Sequence, residues 1–123
     1  MASTRLQRVG RLIREELSRI IREEIDDPRL GLITLTDVEV TPDLRIAHVH
    51  VSVYGDEAQQ KISMSILDRA SRFLRGMLGR EIDLRYTPEL HFHLDTSIER
   101  GARIFELLHE IETEEKEKPD EPS

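Results

Sequence analysis

Apolar residues recur at spacings of three and four from the start of the chain. Leu6, Val9, Ile13, Leu17, Ile20 and Ile21 share one face of a helix predicted over 4–25. Ser3 or Thr4 is placed to cap its start, and Asp26-Asp27-Pro28-Arg29-Leu30-Gly31 ends it, because proline cannot continue a helix and glycine suits a turn. A Thr-, Val- and Ile-rich strand is predicted near 32–41, followed by a turn at Thr41-Pro42-Asp43-Leu44. The next strand, near 45–54, alternates: Ala47, Val49, Val51 and Val53 point one way, His48, His50 and Ser52 the other. One of its faces is therefore covered and the other wet. Helical period returns over 56–80, with Ile62, Ile66, Phe73 and Met77 on one stripe and Leu67, Leu74 and Leu78 beside it. A third strand near 82–95 turns Leu90, Phe92 and Leu94 inward and Glu89, His91, His93 and Asp95 outward, with Pro88 interrupting pairing near its start. Thr96-Ser97-Ile98-Glu99 has the form of a capping box for a last helix to about Ile111.

The order helix, strand, strand, helix, strand, helix defines an α+β chain. A short hairpin makes the first two strands antiparallel. The crossover through the long middle helix makes the second and third parallel. The expected architecture is a three-stranded mixed sheet with helices packed on one face. Residues 1–111 form the expected domain. Residues 112–123, acidic and poor in apolar side chains, are expected to be a disordered tail.

Charge qualifies this picture. The formal net charge of −7 argues against nucleic acid until its distribution is considered. The tail holds six acids against two lysines, a net of −4, which leaves −3 for the other 111 residues. The basic side chains of that larger part are fifteen arginines and Lys61. Arginine favours forked contacts to phosphate, although it serves equally well in surface carboxylate pairs, so placement matters more than the sum. On the first helix Arg8, Arg11, Arg19 and Arg22 share an arc with Arg5 and Arg14 at its edges. Glu15 interrupts it, and a salt-bridged solvated face is the simpler reading of that stripe alone. On the middle helix Lys61, Arg69, Arg72 and Arg75 lie opposite the apolar stripe. Arg80 and Arg85 follow, and no acid occurs from Ser71 to Gly79. Gly76 and Gly79 in the same span allow close backbone approach.

Other chemistry is sparse. There is no cysteine, which excludes disulfides and thiol nucleophiles. His48 and His50, with His91 and His93 on the neighbouring strand, make a face that a transition metal could use. Outward polar positions on a half-exposed sheet are the simpler reading, and no metal or other cofactor is expected. No Gly-rich phosphate loop, nucleophile elbow or His-Glu-x-x-His motif occurs, so the chain is not expected to be an enzyme. Phe73, Phe92 and Phe105 fall at apolar-face positions and read as core, which leaves few aromatics for base stacking. The N-terminus runs straight into a helix without a signal-peptide pattern. No apolar run is long enough to span a bilayer, so a cytoplasmic, monomeric protein is expected, with no membrane partner and no small-molecule substrate.

Several blocks, in order and spacing, resemble ribosome-binding factor A, a family of bacterial small-subunit assembly factors. They are Arg8-Val9 with Arg14-Glu15-Glu16-Leu17, then Asp27-Pro28-Arg29-Leu30-Gly31, then Asp43-Leu44. Further on come Ala70-Ser71-Arg72-Phe73-Leu74-Arg75, Leu78-Gly79, Pro88-Glu89-Leu90-His91-Phe92, and Asp95-Thr96-Ser97-Ile98 followed by Arg103-Ile104. The resemblance covers about residues 5–111. It implies a type II KH-like fold whose RNA-binding loop is replaced by an interhelical kink with an Ala-x-Gly pattern. That position reads Ala70-Ser71-Arg72 here, with Arg72 where the pattern has glycine. The resemblance also implies binding to free 30S small subunits and contact with 16S rRNA near its 5′ end. Support of late maturation and rRNA processing, notably in the cold, is implied too. The residues then expected at rRNA are Arg69, Ala70, Ser71, Arg72, Arg75, Arg80 and Arg85, with Lys61, with Arg5, Arg8 and Arg11, and with Arg100 and Arg103. The competing readings are a protein-interaction module with charged helices docking a protein partner, and a metal-dependent enzyme on the histidine face.

Overall fold

The computed structural model describes residues 4–97. The helix expected over 98–111 and the tail expected over 112–123 lie outside the described residues. Five elements follow in order: α1 (Thr4–Glu24), β1 (Ile33–Val40), β2 (Ile46–Val53), α2 (Glu57–Glu81) and β3 (Glu89–Leu94). The first four agree with the expected segments to within about two residues, the usual uncertainty of element ends. Asp56 caps α2, its carboxylate accepting from the Gln59 N–H at 2.8 Å.

The three strands lie in the order β1-β2-β3, with β1 antiparallel to β2 and β2 parallel to β3. β2 is the central strand, and its inward row Ala47, Val49, Val51 and Val53 is buried throughout. α1 packs over β1 and α2 over β3, side by side on one face of the sheet. Ile13, Leu17 and Ile20 from α1 and Leu67, Leu74 and Leu78 from α2 close the core, each fully buried. Truncating one such leucine to alanine typically costs about 2–5 kcal/mol. A bulge between Leu35 and Asp37 interrupts the β1–β2 register. It brings both Leu35 and Val38, three positions apart, onto the buried side, which strict alternation does not allow. The hairpin turn is closed by Thr41, whose hydroxyl donates to Asp43 Oδ1 at 2.6 Å, and by Leu44 in the left-handed region at φ 61°.

The expected α+β architecture is present, with helices on one face, and three details are corrected. The buried stripe of α2 is centred on Leu67, Leu74 and Leu78, while Ile62 and Phe73 are 42% and 49% exposed. With apolar residues on two adjacent stripes, spacing alone does not say which one meets the sheet, and the sheet takes the leucines. β3 begins at Glu89 rather than near 82. Ile82 ends α2, and Pro88 has no N–H to give, so the first pairing bond is from Glu89 N–H to the Arg45 carbonyl at 2.8 Å. Leu94, at the end of β3, is 38% exposed rather than turned fully inward. The helix also passes through Ala70-Ser71-Arg72 without a break. Arginine in place of glycine favours helix by nearly 1 kcal/mol, which acts against an interruption there.

α1 rests on β1 through Gly10. A Cβ at this position would lie 2.5 Å from the Val38 carbonyl oxygen, a backbone atom that cannot rotate away. Gly10→Ala is therefore expected to destabilise the fold by about 1–3 kcal/mol, although alanine is the better helix former. Urea denaturation of the two proteins measures this. Equal or greater stability of the alanine variant would contradict the close contact.

Candidate nucleic-acid interface

The surface opposite the sheet is set by how α1 is tied to α2. The turn Asp27-Pro28-Arg29-Leu30-Gly31 is folded on itself: Asp27 accepts from Arg29 N–H at 2.9 Å, Nε at 3.1 Å and Nη2 at 2.8 Å. The Arg29 side chain, with its backbone N–H, holds the Asp27 carboxyl down at about 2. The turn then docks on α2. Gly31 N–H donates to the hydroxyl of buried Ser63 at 3.0 Å, and Gln59 Nε2 donates to the Arg29 carbonyl at 2.9 Å. A side chain at Gly31 would meet Gln59 Nε2 at 2.8 Å, so this block of the sequence serves as a latch between the helices. Arg19 adds a second tie. Its guanidinium meets Glu16 and Glu23 at 2.9 Å and, across to α2, Glu81 at 3.2 Å. The hydrogen bond to Glu16 and the surrounding carboxylates raise its pKa further. Arg19 belongs to the helix pair and not to an arginine stripe open to solvent.

Arg5, Arg8 and Arg11 of α1 and Arg69, Arg72 and Arg80 of α2 are exposed, and among the described residues none of the six forms an ion pair. Arg69 is near enough to Asp27 to act on its charge. Ser71, Arg72 and Arg75 line a groove of about 670 Å³ between α2 and β3, floored by Gly76, Gly79 and Leu90. Arg75 is exposed but anchored, its Nε and Nη2 donating to the Thr87 carbonyl at 3.0 and 2.8 Å. Ala70 is half-buried on the flank of the same helix. Arg5 and Arg85 meet at a smaller hollow of about 140 Å³ beside Leu44, and Arg85 lies over the Tyr86 ring at 5.7 Å. Lys61 is not part of this grouping. It pairs with Glu57 at 3.5 Å near the other end of α2 and borders a separate hollow with Gly55 and Leu94. Arg100 and Arg103 lie outside the described residues.

Phe73, expected in the core, is instead half exposed on α2, one turn from Arg69 and next in sequence to Arg72. An exposed ring among arginines offers a stacking surface to a base, and Tyr86, 64% exposed, offers another. The signal lay in the sequence: Phe73 falls a full 100° round the helix from the adjacent Leu74. The open face of the sheet carries the histidines instead. No helix among the described residues is long and apolar enough to cross a membrane.

The family model for ribosome-binding factor A matches residues 5–108. The chain belongs to the ribosome-binding factor A family. Relatives carrying that name include those of Halothermothrix orenii, 48% identical over 115 residues and covering 94% of each chain, and Brevibacillus brevis, 45% identical over 121 residues, covering 98% of this chain and 99% of that one. The crystal structure of ribosome-binding factor A from Thermus thermophilus superposes with a TM-score of 0.65 at 27% identity, over 72% of this chain and 94% of that chain. A homology model of the Thermus thermophilus factor, fitted into a cryo-electron-microscopy map of a 30S complex, gives 0.60 at 28% identity, over 71% of this chain and 91% of that one. The α+β fold is thus shared with the ribosome-binding factor A structures, consistent with the expected type II KH-like class.

The latch has a measurable acid signature. Asp95, accepting from the Thr36 hydroxyl at 2.7 Å and from Ser97, is also held down at about 2. Carboxylates that resist protonation in the folded chain stabilise it fully above their unfolded value of about 4, and that contribution is lost as pH falls toward 2. Denaturant midpoints taken downward through this window are expected to drop. In Asp27→Asn combined with Asp95→Asn the drop should be shallower. Identical slopes for the two proteins would remove these carboxylates from the account.

Proposed function

We propose that the chain is a non-catalytic ribosome assembly factor that binds the free 30S small ribosomal subunit. Its contact surface is the arginine-bearing side of α1 and α2, acting on 16S rRNA phosphates. The observation that carries this reading is eight exposed arginines on the two helices, Arg5, Arg8, Arg11 and Arg22 on α1 and Arg69, Arg72, Arg75 and Arg80 on α2, without ion pairs among the described residues, in a chain whose overall charge is −7. An acidic chain that leaves this many guanidinium groups open on its two helices has a surface matched to polyanions. The homology model of the Thermus thermophilus relative, fitted into the map of a 30S complex, supports the same partner. In this reading the site comprises Arg5, Arg8 and Arg11, then Arg69 to Arg72 with Arg75, Arg80 and Arg85, and Arg100 and Arg103 beyond the described part. Phe73 joins it as a stacking residue. Lys61, paired and distant, is a weaker member.

The mechanism is differential affinity. A protein that binds an immature rRNA conformation more tightly than the mature one shifts the population toward the form it holds, and it leaves when maturation removes that form. The region near the 5′ end of 16S rRNA, late maturation and processing, and a demand greatest in the cold complete the reading, within the cytoplasm and with the protein as a monomer. Residues 1–111 act as the binding domain and 112–123 as an acidic tail whose charge repels RNA outside the site.

Phosphate contact makes affinity fall with salt, with a slope of about 0.7–0.9 per phosphate neutralised. Replacing Arg69, Arg72 and Arg80 together by glutamine is expected to weaken binding to immature small subunits at least about tenfold and to flatten the salt slope by about two. Fluorescence anisotropy of the labelled protein across a salt series reads both quantities. Binding indifferent to salt and to the triple replacement would overturn the proposal and give a protein partner first place.

A further inference from the structure

The four histidines of the open sheet face remain outside the function proposed above. Parallel pairing of β2 with β3 sets His48 opposite His91 and His50 opposite His93. The diagonal pair has closed: His48 Nδ1 and His93 Nε2 are 2.9 Å apart. The other two rings flank it, His91 at 5.7 Å from His48 and His50 at 5.4 Å from His93, centroid to centroid. Behind these flanking rings stand carboxylates, Glu39 Oε1 at 3.2 Å from His50 Nε2 and Glu89 Oε2 at 3.9 Å from His91 Nε2.

We propose that His48 and His93 form the primary ligand pair of a site for a late first-row divalent metal ion such as Zn²⁺, with His50 and His91 completing its coordination. Two imidazole nitrogens in contact must share one proton, because one donates and the other accepts. A metal ion replaces that proton. Tetrahedral ligands about 2.0–2.1 Å from zinc stand about 3.3 Å from one another, so the pair needs to open by only a few tenths of an ångström. Among the described residues no three ligating groups already meet at one point, so the flanking rings rotate to reach the ion. Glu39 and Glu89 are placed to hold the second nitrogen of those rings, the arrangement that fixes the tautomer of a metal-bound histidine. Nitrogen donors without thiolate suit Zn²⁺, Ni²⁺ and Cu²⁺ rather than Mg²⁺ or Ca²⁺. Bound there, the ion staples β2 to β3 on the face of the sheet that α1 and α2 do not cover.

The test is titration of the full chain, purified without a histidine tag, with ZnCl₂. Isothermal calorimetry is expected to show one saturable site per chain. The ring resonances of His48 and His93 should move together in a proton–carbon NMR spectrum. His48→Gln combined with His93→Gln is expected to lose the site, whereas His109→Gln, which changes the fifth histidine, keeps it. No saturable binding overturns the proposal, as does binding that survives the double replacement. Should the double variant not fold, the wild-type ring shifts decide: movement of both rings upholds the site, and shifts confined to other residues end it.

Discussion

Burial of the row Ala47, Val49, Val51 and Val53 beneath two helices at once constrains the rest of the molecule. A central strand covered on one side needs both α1 and α2 over it, and neither helix covers that row alone. Each helix must then spend its apolar stripe on the sheet, so its long charged side chains are confined to the opposite side. The contact at Gly10 and the latch from Asp27 to Ser63 set where the helices sit on that row. The arginine surface is in this sense a consequence of core packing. The positions of Arg8, Arg69, Arg72 and Arg80 follow from Ile13, Leu17, Leu74 and Leu78.

Charge is then sorted by partner and not by composition. Arg19 and Arg29 are guanidinium groups like Arg72, yet carboxylates hold both, Arg19 between the helices and Arg29 within its own turn. Arg75 is committed to the Thr87 carbonyl and gives shape to the groove while keeping its charge exposed. Arginines without such commitments are the ones able to exchange solvent for phosphate. Part of the acid is committed in the same way, Glu16, Glu23 and Glu81 to Arg19 and Asp27 to Arg29, whereas Glu89 lines the groove of Arg72 and Arg75 and Asp83 the hollow of Arg5 and Arg85.

Much of this was legible in the sequence. Period-two alternation from Ala47 to Val53 and the three-and-four spacing from Leu6 to Ile21 located β2 and α1 nearly to the residue. Those patterns report burial on one side only, and there they are unambiguous. α2 was harder, because Ile62, Phe73 and Met77 make a stripe as apolar as Leu67, Leu74 and Leu78, and only the sheet decides between them. The bulge at Leu35–Asp37 and the late start of β3 depend on backbone pairing with another strand, which local sequence does not encode. Most of the arginines expected at the site, among the described residues, are exposed on α1 and α2. Whether an arginine is paired, anchored or open was not legible where the partner is distant in sequence, as Glu81 is from Arg19 and Thr87 from Arg75. The resemblance blocks include structural devices: the Asp27–Gly31 block is the latch, and Asp43-Leu44 is the hairpin turn.

The central claim is that the helix side, and not the histidine-bearing sheet side, meets the rRNA. A photo-crosslinking amino acid placed at position 72 in one protein and at position 50 in another tests it, each irradiated with isolated small subunits. The account predicts crosslinks to 16S rRNA from position 72 and none above background from position 50. Crosslinks from position 50 with none from position 72 would contradict it and turn the molecule over on its target.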